Sequence, residues 1–322
     1  MTVLVTGATG LVGSNVCRLL VEDGMAVRAL VRPGSETEPL AALGAELVAG
    51  DLTDAASVRG AADGCEAIVN SAAVLGGAEQ DLEQQRATNV GGASNVFDAG
   101  AATGCRVVTL STTTFFEHET PLTETSSVAA ESSDDPYTVT KRAAYLDAMQ
   151  RADDGQDIVV VIPGGTFGPA PTAERAMAPT SFNRLVRGAI RGRLTDYVAY
   201  PVPWVFVDDV ASAAISAITK GQSGEKYLAF GAEDAMTTAA FLNAACELAG
   251  VSHRIEDVQI DPADPGALER YGPSLVALSS RSFPVPWFDN QHTLETLDYD
   301  PVPLRYALGR TIDWLRERGL LD

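Results

Sequence analysis

The sequence predicts an α/β chain built on a doubly wound parallel sheet, with a smaller lobe interleaved toward its C-terminal end. Three observations predict it. The chain opens on a strand, a glycine-rich turn and a helix. Short apolar runs then alternate with helical stretches. Polar residues collect where those runs end, and sheets of this kind place their ligands outside the carboxyl ends of the strands.

The first element reads MTVLVTGATGLVGSNVCRLLVEDG. Val3, Leu4 and Val5 form a short apolar run typical of a buried parallel strand. Gly7, Gly10 and Gly13 follow at three-residue spacing. Leu11, Val16, Leu19 and Leu20 continue as a helix that Gly24 can end. Glycine permits the tight turn and lets backbone N–H groups approach a phosphate, while the helix N-terminus favours negative charge. Placed between a strand and a helix, this turn is far more specific than three glycines alone.

The second strand, AVRALVRPGS (26–35), ends where an acidic residue would bond a ribose 2′-hydroxyl. Arg32 stands there, with Arg28 nearby and Ser35 following. A guanidinium suits a 2′-phosphate, so NADP(H) is expected in preference to NAD(H). The alternative is an arginine that simply caps the strand in solvent. Next, AELVAGDLTD (45–54) brings Asp51 and Leu52 to a strand end. CEAIVNSAAV (65–74) ends in Asn70, Ser71, Ala72 and Ala73. Residues 87–104 read as a helix, 105–114 as a strand ending in hydroxyl residues, and 157–169 as a strand with a glycine turn.

DDPYTVTKRAA (134–144) carries one of only three lysines in the chain. Pro136 suits the first turn of a helix, and Tyr137 and Lys141 then share one face a turn apart. An ammonium beside a phenol favours the phenolate, pulling it below its usual ~10 and allowing proton exchange near neutral pH. By itself the pair also fits an ordinary surface helix.

Composition bounds the function. The formal net charge of −20 argues against nucleic acid and anionic membranes as partners. The four cysteines and three histidines are scattered, with no metal-site spacing and no disulfide framework. No apolar run is long enough to cross a bilayer, and Met1 leads straight into the first strand without a signal peptide. A cytoplasmic setting is the expectation.

In order, GATGLVG (7–13), GDLTD (50–54), NSAA (70–73), TNVGG (88–92), LSTTT (110–114), YTVTK (137–141), VIPGGTFGP (161–169) and WVFVDDVASA (204–213) resemble the extended short-chain dehydrogenase/reductases. Through VRALVRP the chain is most similar to dihydroflavonol-reductase-like, NADP-dependent carbonyl reductases. The resemblance covers most of the first 230 residues and implies a Rossmann-type fold. It makes Tyr137 the proton donor or acceptor for a carbonyl/alcohol pair. Lys141 would lower its pKa and bond the nicotinamide ribose. Thr113 would hold the substrate oxygen, with Thr112 the fallback one register away, and Asn89 would support a proton-relay water. Cofactor contacts are implied at Gly7, Thr9, Gly10, Leu11, Val12 and Gly13, at Arg32, Asp51 and Leu52, at Ser71, Ala72 and Ala73, and at Pro163, Gly164 and Thr166. A homodimer through helices near 87–103 and 137–150 is also implied.

Two departures bear on substrate. Gly165 takes a place where sugar-nucleotide members commonly have Asn, and Phe206 one where they often have His. Together with Phe115, Phe116 and Trp204, these suggest an apolar or aromatic carbonyl substrate, lined by Val74, Phe115, Phe116, Gly165 and Trp204. For any single aromatic, a core position is the commoner outcome. The expected sheet domain is 1–169 with 196–231, the substrate lobe 170–195 with 232–303, and the C-terminal helix 304–322. Arg184, Arg187 and Arg191 form one helical stripe, suited to a substrate anion or, more often, to a solvated face. SFPVPWFDNQHTLETLDYDP (282–301) is placed near the pocket. The alternatives are a nucleotide-sugar epimerase or dehydratase, a 3β-hydroxysteroid-dehydrogenase-like enzyme, and a non-catalytic NADP sensor.

Overall fold

The computed structural model describes residues 1–75, 82–130, 135–261, 264–271, 273–279 and 282–321. Its centre is a seven-stranded sheet. The strands are β1 (Thr2–Thr6), β2 (Ala26–Val31), β3 (Glu46–Ala49), β4 (Ala67–Asn70), β5 (Arg106–Leu110), β6 (Ile158–Pro163) and β7 (Lys226–Ala229). They lie in the order β7-β6-β5-β4-β1-β2-β3, and every neighbouring pair is parallel. The order turns back between β1 and β4, so their carboxyl ends bound a crevice of the kind that binds ligands in open sheets.

Alternation along the strands shows why both faces are covered. Val3 and Val5 enter one core with Val159 and Val161, while Leu4 enters the other with Ile158, Val160 and Ile162. The first core also holds helices Leu11–Glu22 and Val207–Thr219 through Val16, Leu20, Ala211 and Ala214. The second is filled by Phe97, Phe115, Phe116, Tyr145 and Trp287. A third core lies in the C-terminal half. Phe167, Val186, Trp204, Phe241 and Leu242 meet Leu308, Trp314 and Leu315 of helix Leu304–Glu317 there.

The aromatic residues expected to face substrate are core residues. Phe115 and Phe116 are 3% and 1% exposed and pack with Tyr145, ring centroids 5.2 and 5.4 Å away. Trp204 stacks on Phe241 at 3.8 Å and spends its indole N–H on the Met236 carbonyl. Burying these rings stabilises the fold more than exposing them at a site would. Gly165 is likewise buried. A Cβ there would lie 2.6 Å from Val202 Cγ1, so the position presents nothing to a ligand and has no room for the asparagine of sugar-nucleotide members.

Candidate active site

The glycine turn is a cradle that side chains would fill. Gly7 has φ +66°, and a Cβ on it would lie 2.6 Å from Ala72 N. A Cβ on Gly13 would fall on the Gly7 carbonyl and 2.6 Å from Ser71 Oγ. Gly10 N–H closes the turn on Gly7 O at 2.8 Å, and Gly10 caps helix Leu11–Glu22 with no side chain of its own. The ends of β1 and β4 are laced beside it. Ser71 Oγ donates to Thr6 O at 2.8 Å, and Thr6 Oγ1 to Asn70 Oδ1 at 2.7 Å. A bare helix N-terminus with backbone this close suits the pyrophosphate of a dinucleotide.

Beyond β2, Arg32 is exposed and makes no side-chain hydrogen bond among the described residues. Its charge reaches Asp51. That carboxyl is held below its usual range chiefly by the Thr53 N–H at 2.8 Å, then by the Thr53 hydroxyl, with Arg32 adding. Arg28 plays no part here. It is spent on Glu46 at 2.9 Å and on the carbonyls of Ala61 and Asp63. Leu52 packs under Gly92, and Asn95 holds its carbonyl at 2.9 Å.

Helix Pro136–Asp153 carries Tyr137 and Lys141. Asp135 caps it, accepting from Thr138 N–H at 2.8 Å, and Pro136 sits in its first turn. The hydroxyl that acts on the Tyr137 phenol, opposing its rise, is that of Thr112. The reason is the exit from β5. Ser111 N–H still pairs with Val161 O, leaving Thr112 to turn toward the helix, while the Thr113 carbonyl closes the next bend on Phe116 N–H. Lys141, 7% exposed, donates to Leu110 O at 2.7 Å. Beside it a niche of about 10 Å³ is lined by Asn70, Asn89, Ser111 and Tyr145. The Ser111 hydroxyl is buried without a partner.

The electrostatics differ from the expectation that Lys141 pulls Tyr137 down. Burial pushes the phenol up to about 12, against the opposing Thr112 hydrogen bond, and Asp135 adds to the rise. Burial also lowers the Lys141 ammonium to about 8. Desolvation disfavours both charges, and the ammonium is already committed to a backbone carbonyl. The phenol therefore keeps its proton through the neutral range.

Asn89 clamps two segments together through its side chain. It lies in the π-helical turn Arg86–Gly92, where its Oδ1 accepts from Val74 N–H at 2.7 Å. Its amide donates to Val74 O at 3.0 Å and to Thr140 Oγ1 at 3.1 Å, so its donors are used. It therefore ties the loop after β4 to the helix that carries Tyr137. Val74, expected at the substrate, is the other end of that clamp.

On the same carboxyl edge, a cleft of about 300 Å³ opens between distant segments. Tyr200, Asp234, Gln259, Phe283, Val285 and Trp287 line it with small and proline residues. It borders the strand ends. Asp234 and Ala235 follow β7, and Pro201 precedes the Pro203 carbonyl that receives Gly165 N–H at 2.8 Å. His118, on the loop after β5, stacks on Trp287 at 5.6 Å. Only the 282–288 run of this lining was flagged by sequence; Tyr200, Asp234 and Gln259 carried no local signal. None of Arg184, Arg187 and Arg191 lines the cleft, and Arg187 is pinned to Leu320 O at 2.8 Å.

Comparison with known proteins gives this arrangement its context. The profile of the NAD dependent epimerase/dehydratase family matches residues 3–230. The chain belongs to that family. "Sterol demethylase protein B" of Methylococcus capsulatus is 28% identical, over the whole of both chains. A "Putative dihydroflavonol 4-reductase" of Synechocystis sp. is 30% identical over 70% of this chain and 66% of its own. The solved structure "Crystal structure of gox2253" superposes with TM-score 0.86 at 27% identity, covering 100% of this chain and 99% of that one. The family assignment makes the chain an oxidoreductase-type enzyme with a nicotinamide dinucleotide as its cofactor, and the glycine cradle fits that group. No described helix is long and apolar enough to cross a membrane.

Proposed function

We propose that this protein is an NADP(H)-dependent reductase of a ketone or aldehyde whose body is apolar or aromatic. The observation that carries the reading is Lys141, buried and donating to Leu110 O at 2.7 Å one turn along the helix from Tyr137, with the Thr112 hydroxyl acting on the Tyr137 phenol. When bound, the nicotinamide supplies the hydride. Thr112 and Tyr137 both present hydroxyl protons to a carbonyl oxygen, and Tyr137 transfers its own as the alkoxide forms. The raised phenol keeps that proton through the neutral range, which suits reduction; the reverse oxidation needs the phenolate and accelerates as pH rises. Lys141 stands where a nicotinamide ribose can meet its ammonium, and Gly7, Gly10 and Gly13 hold the pyrophosphate.

Preference for the 2′-phosphate rests on Arg32, exposed at the end of β2 with its guanidinium uncommitted. The substrate class rests on the cleft. Its described lining contains Phe283, Val285 and Trp287 and no lysine or arginine, only the carboxylate of Asp234. A sugar linked to a nucleoside diphosphate needs cations to meet its phosphates; an uncharged ring system does not. The relatives named for a sterol and for dihydroflavonol agree with that class. The expected cytoplasmic setting and homodimer belong to the same reading.

The test is Tyr137→Phe, assayed with NADPH on a panel of aryl, flavonoid and steroid ketones. Turnover should fall by about 10²–10⁴-fold while NADPH binding persists. Undiminished turnover in that variant would sink the reading.

A further inference from the structure

We propose that residues 169–174 form a strap belonging to the dinucleotide site, and that Thr172 and Glu36 are positioning residues that set how fast the cofactor leaves. The strap leaves the sheet from β6, beside Pro163 and Gly164, where the nicotinamide end of the cofactor is expected. Its root is fixed, because Gly168 exchanges two hydrogen bonds with the Asn183 amide, at 2.9 and 2.7 Å. It then meets three segments on the β1–β2 side of the cofactor crevice in turn. Pro169 O accepts from Asn15 Nδ2 of the first helix at 2.9 Å. Thr172 Oγ1 donates to Thr9 O inside the glycine turn at 2.9 Å. Glu174 N–H donates to Glu36 Oε2 at 3.1 Å, on the loop four residues past Arg32.

These contacts advance from helix to turn to the β2 loop, along the direction in which a dinucleotide runs from nicotinamide to adenosine ribose. They are built, not grazing. Thr172 is 0% exposed and Asn15 is 1% exposed. The outer side is anchored too. Ala170 and Ala176 are in the third core, and Arg318 Nη2 donates to Pro171 O at 3.3 Å. The Thr9 carbonyl belongs to the turn whose N–H groups face the pyrophosphate, so Thr172 fixes that turn from behind. Glu36 fixes the loop that carries Arg32. A cofactor can leave only as these loops part, and the strap ties both to a packed lobe.

The inference rests on family membership and not on the 2′-phosphate preference. The experiment is stopped-flow displacement of bound NADPH, and separately of NADH, from the full chain. Thr172→Val should release cofactor about fivefold faster, the scale of one lost hydrogen bond, and Thr172→Ser should restore the parental rate. Glu36→Ala should act in the same direction, and it carries the test should the buried Thr172→Val fail to fold. Melting temperatures without cofactor separate a loosened strap from a loosened fold. Release within about twofold of the parent in both Thr172→Val and Glu36→Ala overturns the proposal. So does Thr172→Ser behaving like Thr172→Val. A parent that holds NADH in preference to NADPH overturns the Arg32 reading and leaves the strap to be judged on NADH.

Discussion

The two halves of the site are built on opposite principles. The cofactor half is backbone, closed to any added atom: Gly7 and Gly13 each have protein within 2.6 Å of where a Cβ would stand. The proposed substrate half is side chain around empty space, a cleft of about 300 Å³ with Val285 91% exposed on its lip. Backbone that must touch a ligand admits few residues, so its sequence is nearly dictated. A cleft for an uncharged body needs only volume and apolar surface, which many residues provide.

Substitutions sharpen the contrast. On binding and stability the largest effect is expected at Gly13→Ala. The new methyl meets the Gly7 carbonyl, which is backbone and cannot swing away as a flexible side chain would. Backbone displacement of this kind costs about 1–3 kcal/mol, and the cofactor Kd should rise on the order of tenfold or more, read by NADPH fluorescence titration. A Kd equal to the parent's would break the claim that the turn is closed.

Next comes Lys141→Met, which should abolish or cripple activity yet stabilise the chain. Lys141 falls from its ordinary 10.5 to about 8 because burial disfavours its charge. Between those values the unfolded chain binds more protons than the folded one, so parental stability rises with pH across that window. Below it, the buried ammonium costs stability in full. Lys141→Met should therefore unfold at higher denaturant than the parent at pH 7, by roughly 1 kcal/mol after the lost bond to Leu110 O. That gain should shrink as pH climbs from 8 toward 10.5. A variant less stable than the parent at pH 7 would contradict the desolvation account.

The smallest effect is expected at Val285→Asp. The side chain is exposed, so stability should stay within about 0.5 kcal/mol. KM for an apolar ketone should rise several-fold while kcat holds, because a second carboxylate joins Asp234 at the cleft. An unchanged KM would place the substrate elsewhere.

What the sequence disclosed follows the same division. Val3 to Val5, the glycine turn and the alternating strands were legible because parallel strands buried on both faces and a phosphate turn leave strong local patterns. Tyr137 and Lys141 were legible as a pair because a helix fixes their spacing. Thr112 could be named only as the fallback to Thr113 because a strand exit has no periodicity: one residue decides which hydroxyl turns to the helix, and that depends on Ser111 pairing with Val161 across the sheet. The sign of the Tyr137 shift was misread because proximity to an ammonium is visible in sequence, and desolvation is not. Phe115, Phe116 and Trp204 were drawn into the pocket by composition, although a large ring near a strand end has a core to fill first. The cleft itself joins residues 199–201, 234, 235, 237, 259, 279, 283–285 and 287, which only tertiary packing brings together.

The central claim is that an NADP(H) enzyme of this family has its substrate half shaped for an uncharged apolar carbonyl. The most direct measurement is a thermal-shift titration of the chain saturated with NADP⁺. One series contains UDP, dTDP and UDP-glucose, the other flavonoid, steroid and aryl ketones. A ligand of the native state stabilises it by about 2.7 kcal/mol at a hundredfold excess over Kd. The account predicts a rise in Tm with the ketones and none with the nucleotides. A rise with the nucleotides alone would contradict it and make the chain an epimerase or dehydratase of a nucleotide sugar.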